Sequence, residues 1–181
     1  MSAIIAAVVV VGLLCLVDLL LTFGVIRRLR EHTDLLRNRQ TSIPWRPVIG
    51  LAEGEAPAPF TVVSAAGATV TGPAGLRLAG FFSVGCSVCP GQVAPFAEYA
   101  RAHHLAKDQV LAILLVPDGG EPPPYLHELA EVAQVTVQRP DAMVAQAFKV
   151  AGFPAFCLLD ANGAMVSSGF GSAELPAPVL A

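Results

Sequence analysis

Two cysteines three residues apart, in Cys86-Ser87-Val88-Cys89, are the side chains of this sequence best suited to chemistry. They follow an apolar run and a glycine-containing turn, and they open what reads as a helix. A thiolate is the reactive form of cysteine, and at a helix N-terminus it faces unpaired backbone N–H groups and the positive end of the dipole. On that reading Cys86 is the nucleophile. Cys89, one turn inside the helix on the same face, can attack a mixed disulfide on Cys86 and release the partner. The bland readings of such a pair are half a zinc site, a structural disulfide or two buried thiols. Zinc wants four ligands, and the sequence offers no second pair of this spacing and only His103-His104 nearby. A purely structural bridge closing so short a loop adds little constraint to the unfolded chain.

The elements that must hold this pair are legible around it. Residues 76–82 form an apolar run that delivers the chain to Cys86 as a buried strand, and residues 92–104 carry Val93, Phe96, Ala97 and Ala100 on one helical face. Upstream, residues 60–64 alternate as a strand, Ala66-Gly67 is a turn and residues 69–71 return. Downstream, residues 110–116 form a wholly apolar strand of the kind buried on both faces of a central sheet. A helix over residues 125–133 follows the three prolines Pro122 to Pro124, then a strand over 135–138 and a short helix over 142–148, with Met143 and Phe148 read as core. Residues 155–159 and 164–168 form the last two strands, joined at Asn162-Gly163, a two-residue hairpin signal. The order β-α-β-α-β-α-β-β describes an α/β domain of about 120 residues with a mixed sheet.

A second feature stands at the head of the penultimate strand, where Phe153-Pro154 closes the turn after the last helix. Proline cannot donate to a sheet ladder, so at a strand's start it points to a turn or a cis bond. A cis bond there exposes the N–H and C=O of Phe153 near the sheet end that carries Cys86, where they can hold an incoming peptide as an added strand.

The cysteine pair after an apolar strand, Gly152-Phe153-Pro154-Ala155-Phe156 before another, and Asp160-Ala161-Asn162-Gly163 in the hairpin together resemble the thioredoxin fold. More narrowly, the chain is similar to the membrane-anchored thiol-disulfide oxidoreductases of the TlpA/ResA group and to the MauD-type accessory proteins of methylamine dehydrogenase. The resemblance covers roughly residues 57–169. It implies that Cys86 attacks, that Cys89 resolves and that Pro154 is a cis-proline contacting the substrate. The sequence also departs from that pattern: Gly85 replaces the usual tryptophan, and Pro95 lies one residue later than the usual helix proline, so the helix starts late or carries a bulge. No Asp or Glu occurs in residues 76–84, where a buried carboxylate often accepts protons, and the proline-containing tail after Gly169 leaves the usual closing helix absent or stunted.

The N-terminal part sets the organisation. Apolar residues make up 54% of the 181 and charged ones 14%, with a mean hydropathy of +0.62, too apolar for an ordinary soluble domain. Residues 3–26 are nearly unbroken Ala, Val, Ile and Leu, about 36 Å long as a helix, enough to cross a bilayer. A cleaved signal peptide wants a basic start and a cleavage site that the run lacks. The chain therefore divides into a transmembrane anchor over residues 1–28, a helical stalk and proline-rich linker over 29–57, and a thioredoxin-like domain over 58–181. Trp45 in the linker reads as an interfacial ring. Gly12, Cys15, Asp18 and Thr22 share one stripe of the anchor, and the Asp18 and Thr22 face is a candidate contact for a membrane redox partner, the alternative being a protonated or hydrated Asp18. Arg27, Arg28, Arg30, Arg37 and Arg39 all follow the anchor and none precedes it, which by charge bias places the domain in the cytoplasm. The family resemblance places it outside and is given the greater weight.

The expectation is a membrane-tethered oxidoreductase exchanging disulfides with protein substrates, with no cofactor and no metal. A peroxiredoxin-like thiol peroxidase shares the fold, but residues before Cys86 lack the Pro-x3-Thr/Ser-x2-Cys setting. A maturation factor or copper chaperone is the non-enzymatic alternative. Two thiolates suit Cu(I), but the copper-delivering relatives carry a wider cysteine spacing and a distant histidine, and no histidine follows His127. A net charge of −3 with no basic cluster gives nucleic-acid binding no support. Cys157, at an apolar strand position, and Cys15 in the anchor read as inert thiols.

Overall fold

The computed structural model describes residues 48–178, together with the isolated positions Ile5 and Gly12. The expected anchor, its Asp18 and Thr22 face, the arginine stalk, Cys15 and Trp45 lie outside the described residues, and no helix among those described is long and apolar enough to cross a membrane.

Seven strands and three α-helices build the described unit. In chain order they are β1 (Phe60–Val63), β2 (Thr69–Gly72), β3 (Leu78–Ser83), α1 (Val93–Ala102), β4 (Val110–Leu115), α2 (Leu126–Val132), β5 (Gln134–Gln138), α3 (Met143–Ala147), β6 (Ala155–Leu159) and β7 (Met165–Gly169). The central sheet has the order β5-β4-β3-β6-β7. Strands β3, β4 and β5 run parallel, and β6 and β7 are added antiparallel. Parallel neighbours need crossovers, and α1 and α2 supply them. All six residues of β4 are buried, as expected of a strand covered on both faces.

The sheet divides the core in two. One face gathers Phe60, Phe81, Ile113, Phe148 and Cys157, and the other gathers Phe82, Phe96, Phe156 and Cys89. The alternation along β3 sends Phe81 and Phe82 to opposite faces, so this one strand anchors both.

Both sheet edges are covered, which protects their unpaired backbone groups. The β1-β2 hairpin lies against β5, where the Ala65 N–H donates to the Val135 carbonyl (2.7 Å) and the Thr136 hydroxyl to the Val63 carbonyl (2.9 Å). At the other edge, residues 54–55 flank the start of β7: the Gly54 N–H donates to the Met165 carbonyl (2.7 Å) and the Met165 N–H to the Glu55 carbonyl (3.0 Å). The packed chain thus reaches back past Ala58, where the sequence placed the boundary. Val48, Ile49 and Leu51 are buried, and Ile49 bridges to Val150. The prolines and glycines of the segment conceal this, because its partners lie in the loop after α3 and at the start of β7, remote in sequence.

Two further expectations change, and that of a stunted closing helix holds among the described residues. The β6-β7 connection is longer than a two-residue turn. Asp160 Oδ1 accepts the N–H groups of Asn162 (2.8 Å) and Ala164 (2.9 Å), and Gly163 takes the positive φ of 84°. Met143 is 71% exposed rather than core, because α3 is barely more than one turn long and buries Val144, Ala145 and Ala147 instead. After β7 the described chain forms only a 3-10 turn, Ser172–Glu174, which lies against α1 and buries Leu175 where a closing helix would pack.

Candidate active site

Strand β3 ends at Ser83, and the chain then makes a tight turn instead of entering a helix. The Cys86 N–H donates to the Ser83 carbonyl (3.1 Å), and a 3-10 turn, Pro90–Gln92, intervenes before α1 begins at Val93. Cys89 is the residue before that turn, so the expectation that it sits one turn inside the helix is corrected. The reason lies in Pro95. Proline has no N–H to donate and fits a helix only in its first turn, where the N–H groups have no partner anyway, and α1 starts two residues before it. This is the late start that the displaced proline implies.

Cys86 and Cys89 form a disulfide with Cα atoms 5.4 Å apart. The two sulfurs are not equivalent. Cys86 is partly exposed, between the exposed Gly85 and Ser87, whereas Cys89 is wholly buried. The Cys89 N–H points back at Cys86, 3.1 Å from its Sγ and 3.3 Å from its carbonyl oxygen. Val84, just before the pair, and Val88, between the two cysteines, are 43% and 59% exposed. A Cβ built on Gly85 meets nothing within 4 Å, so the absent side chain leaves open surface beside Cys86.

Beneath the disulfide lies a dry aromatic platform. Phe82 meets Phe96 and Phe156 edge-on at 5.6 and 5.5 Å, Phe96 stacks on Phe156 at 5.4 Å, and Tyr125 reaches Phe82 at 6.3 Å. Glycine at position 80 makes this possible, since a Cβ there would come within 2.6 Å of the Phe96 ring. Cys89 packs into this cluster and Cys86 lies at its margin.

The antiparallel register of β3 and β6 pairs Phe81 with Ala155, which sets Phe153 and Pro154 at the end of β3 from which the chain continues to Cys86. The Phe153-Pro154 peptide bond is cis. Pro154 is buried, and Phe153, half-buried, packs against both cores. Among the described residues no hydrogen bond uses the backbone N–H or C=O of Phe153. The structure therefore brings all four residues singled out in the sequence to one end of the sheet.

It also brings residues that the sequence did not flag. A Cβ on Gly152 would touch Val48 and Phe170 at 3.7 Å each, and one on Gly171 would lie 3.2 Å from the Gln92 amide oxygen. These neighbours come from three separate stretches of chain, and no local pattern announces them. Cys157 belongs to the opposite core, and burial pushes its thiol up to about 12. No group of three or more His, Cys, Asp or Glu suited to a metal ion occurs among the described residues.

No family model matches the chain, and no curated protein matches it. Solved structures do. The thioredoxin domain of a thiol-disulfide oxidoreductase from Bacteroides vulgatus aligns with a TM-score of 0.52 at 18% identity, over 68% of this chain and 92% of that one. A thiol-disulfide oxidoreductase from Bacteroides fragilis aligns with a TM-score of 0.51 at 13% identity, over 63% and 89%. The C-terminal domain of a chain assigned the same activity in Bacteroides thetaiotaomicron reaches 0.55 at 18%, over 68% and 90%. These likenesses, with the observed β5-β4-β3-β6-β7 sheet, show that the described chain has the thioredoxin fold.

Proposed function

We propose that this protein is a membrane-tethered thiol-disulfide oxidoreductase that exchanges disulfides with protein substrates through Cys86 and Cys89. The observation that carries the reading is the inequality of the two sulfurs, one at the surface and one sealed over the aromatic platform. Only Cys86 can be reached by a second polypeptide. Negative charge on its sulfur is favoured by the Cys89 N–H 3.1 Å away, and charge on the Cys89 sulfur is disfavoured by its dry surroundings. In the reducing direction the Cys86 thiolate attacks a substrate disulfide, forming a mixed disulfide and expelling one substrate thiolate. Cys89, losing its proton, then attacks Cys86, closes the internal bridge and releases the second thiolate. The substrate gains two electrons and two protons and the dithiol loses them. In the oxidising direction the same steps run backwards. The backbone groups of Phe153, which take no hydrogen bond among the described residues, would align the substrate chain as a short added strand while exchange proceeds.

Two variants of the full-length chain test this reading. Cys86→Ser should abolish exchange with a disulfide-containing protein. Cys89→Ser should accumulate a mixed disulfide on Cys86, visible as a thiol-sensitive band in non-reducing gels. Full turnover in Cys86→Ser would overturn the assignment. Tethering rests on the apolar run of residues 3–26, and it predicts that detergent, not high salt, releases the chain from membranes.

A further inference from the structure

The segment that leads into the domain is bound to the loop that presents Phe153. The Ala151 N–H donates to the Val48 carbonyl (2.8 Å), and the Gly50 N–H donates to the Lys149 carbonyl (2.9 Å). Between them Ile49 forms a β-bridge with Val150. Residues 48–50 thus act as a one-rung strand clamped to residues 149–151, immediately before Gly152-Phe153-Pro154. The Val48 side chain continues the contact, since its Cγ2 and the Phe170 ring line the space beside the Gly152 Cα. Farther along the same entering segment, Glu55 Oε1 pairs with Lys149 Nζ (2.6 Å). Lys149 itself holds a φ of 51°, a left-handed conformation unusual for a side chain of this kind, at the hinge where α3 turns toward the loop.

We propose that Val48 and Ile49 are positioning residues for the Phe153 loop, so that the strap governs the capture of polypeptide substrates and leaves the reactivity of Cys86 unchanged. This inference rests on the thiol-disulfide reading. Its physical basis is division of labour. The environment of Cys86 is set by the turn after β3, by the Cys89 N–H and by the aromatic platform, none of which the strap touches. The backbone of Phe153 follows directly from residues 149–151, which the strap holds by two hydrogen bonds and a bridge. A polypeptide that adds its backbone to Phe153 needs that loop pre-set, and loosening it is felt as weaker binding. A small disulfide needs only an accessible sulfur. Because the strap is also the point at which the chain coming from the N-terminal segment joins the domain, the tether enters through the element that holds the substrate loop.

The test compares Val48→Ala with Val62→Ala in the otherwise intact chain, solubilised in detergent. Both truncate a valine of the same core, but Val62 lies in the β1-β2 hairpin and takes no part in the strap. Ile49→Val, which removes one methyl group, serves as the milder variant if Val48→Ala folds poorly. Each protein is assayed for turnover of insulin, the polypeptide disulfide, with dithiothreitol as the terminal reductant, and, after reduction and removal of the reductant, for single-turnover reaction with a small aromatic disulfide as the probe of thiol reactivity. Val48→Ala should raise KM for insulin about tenfold, with kcat and the small-disulfide rate held within roughly twofold, and Val62→Ala should change neither. The proposal is overturned if KM for insulin is unaltered in a folded strap variant, if both rates fall together, or if Val62→Ala gives the same KM rise. Failure of the parent reading looks different, because the unsubstituted protein would then reduce neither disulfide.

Discussion

Cys89 and Cys157 are both wholly buried, yet they sit on opposite faces of the sheet and have opposite fates. Cys89 is reached through its partner sulfur. Cys157 is a free thiol with no such route, hydrogen-bonded only weakly at 4.0 Å to the Leu158 carbonyl, and burial raises it from 9.0 to about 12. Between those values the unfolded chain has released this proton and the folded chain keeps it. The stability that comes from holding Cys157 neutral is complete below pH 9 and is lost progressively as pH rises toward 12. Comparing denaturant midpoints of the protein and of Cys157→Ala at pH 8 and pH 10 isolates the effect. The difference between the two should shrink by roughly 1 kcal/mol at the higher pH. An unchanged difference would mean that the thiol ionises in place. At this scale the sequence was a good guide where a residue's neighbours decide its environment, as for Cys157 in its apolar run. It failed for Met143, whose burial depends on how short α3 turns out to be.

Among the elements, β3 and α1 matter most, because the dithiol lies between them and inherits their relative position. That position depends on Gly80, over which the Phe96 ring packs with no room for a methyl group. Gly80→Ala should destabilise the domain by about 1–3 kcal/mol through overpacking, read as a lower denaturant midpoint. It should also displace the first turn of α1 and with it the platform under Cys89, detected as a changed equilibrium between the dithiol and glutathione. A variant with unaltered midpoint and unaltered equilibrium would show that Phe96 moves aside freely. The strands and helices themselves were legible, since buried strands announce themselves as apolar runs and α1 by its spaced apolar residues. Two features were not. The β6-β7 turn depends on a side chain, Asp160, taking two backbone N–H groups, and the strap on pairing with residues distant in sequence.

For the whole molecule, the open quantity is the compartment in which the Cys86–Cys89 pair works, because a disulfide persists only where thiol reductants are scarce. Two sequence signals oppose each other. Five arginines between positions 27 and 39, with none before the apolar run, favour a cytoplasmic domain, and the resemblance to anchored oxidoreductases favours the outside. A variant in which Cys15 and Cys157 are both replaced by alanine leaves only the pair to react. If the pair lies outside and is kept oxidised there, intact cells treated with a membrane-impermeant thiol reagent should label this chain only after prior reduction. Labelling without reduction would also place it outside, but as a dithiol held reduced by a membrane partner, which gives the Asp18 and Thr22 face of the anchor a role to test. Labelling that appears only after lysis would show that the arginines orient the anchor. The same two sulfurs would then face a reducing compartment, and the exchange would run toward reduction of cytoplasmic disulfides.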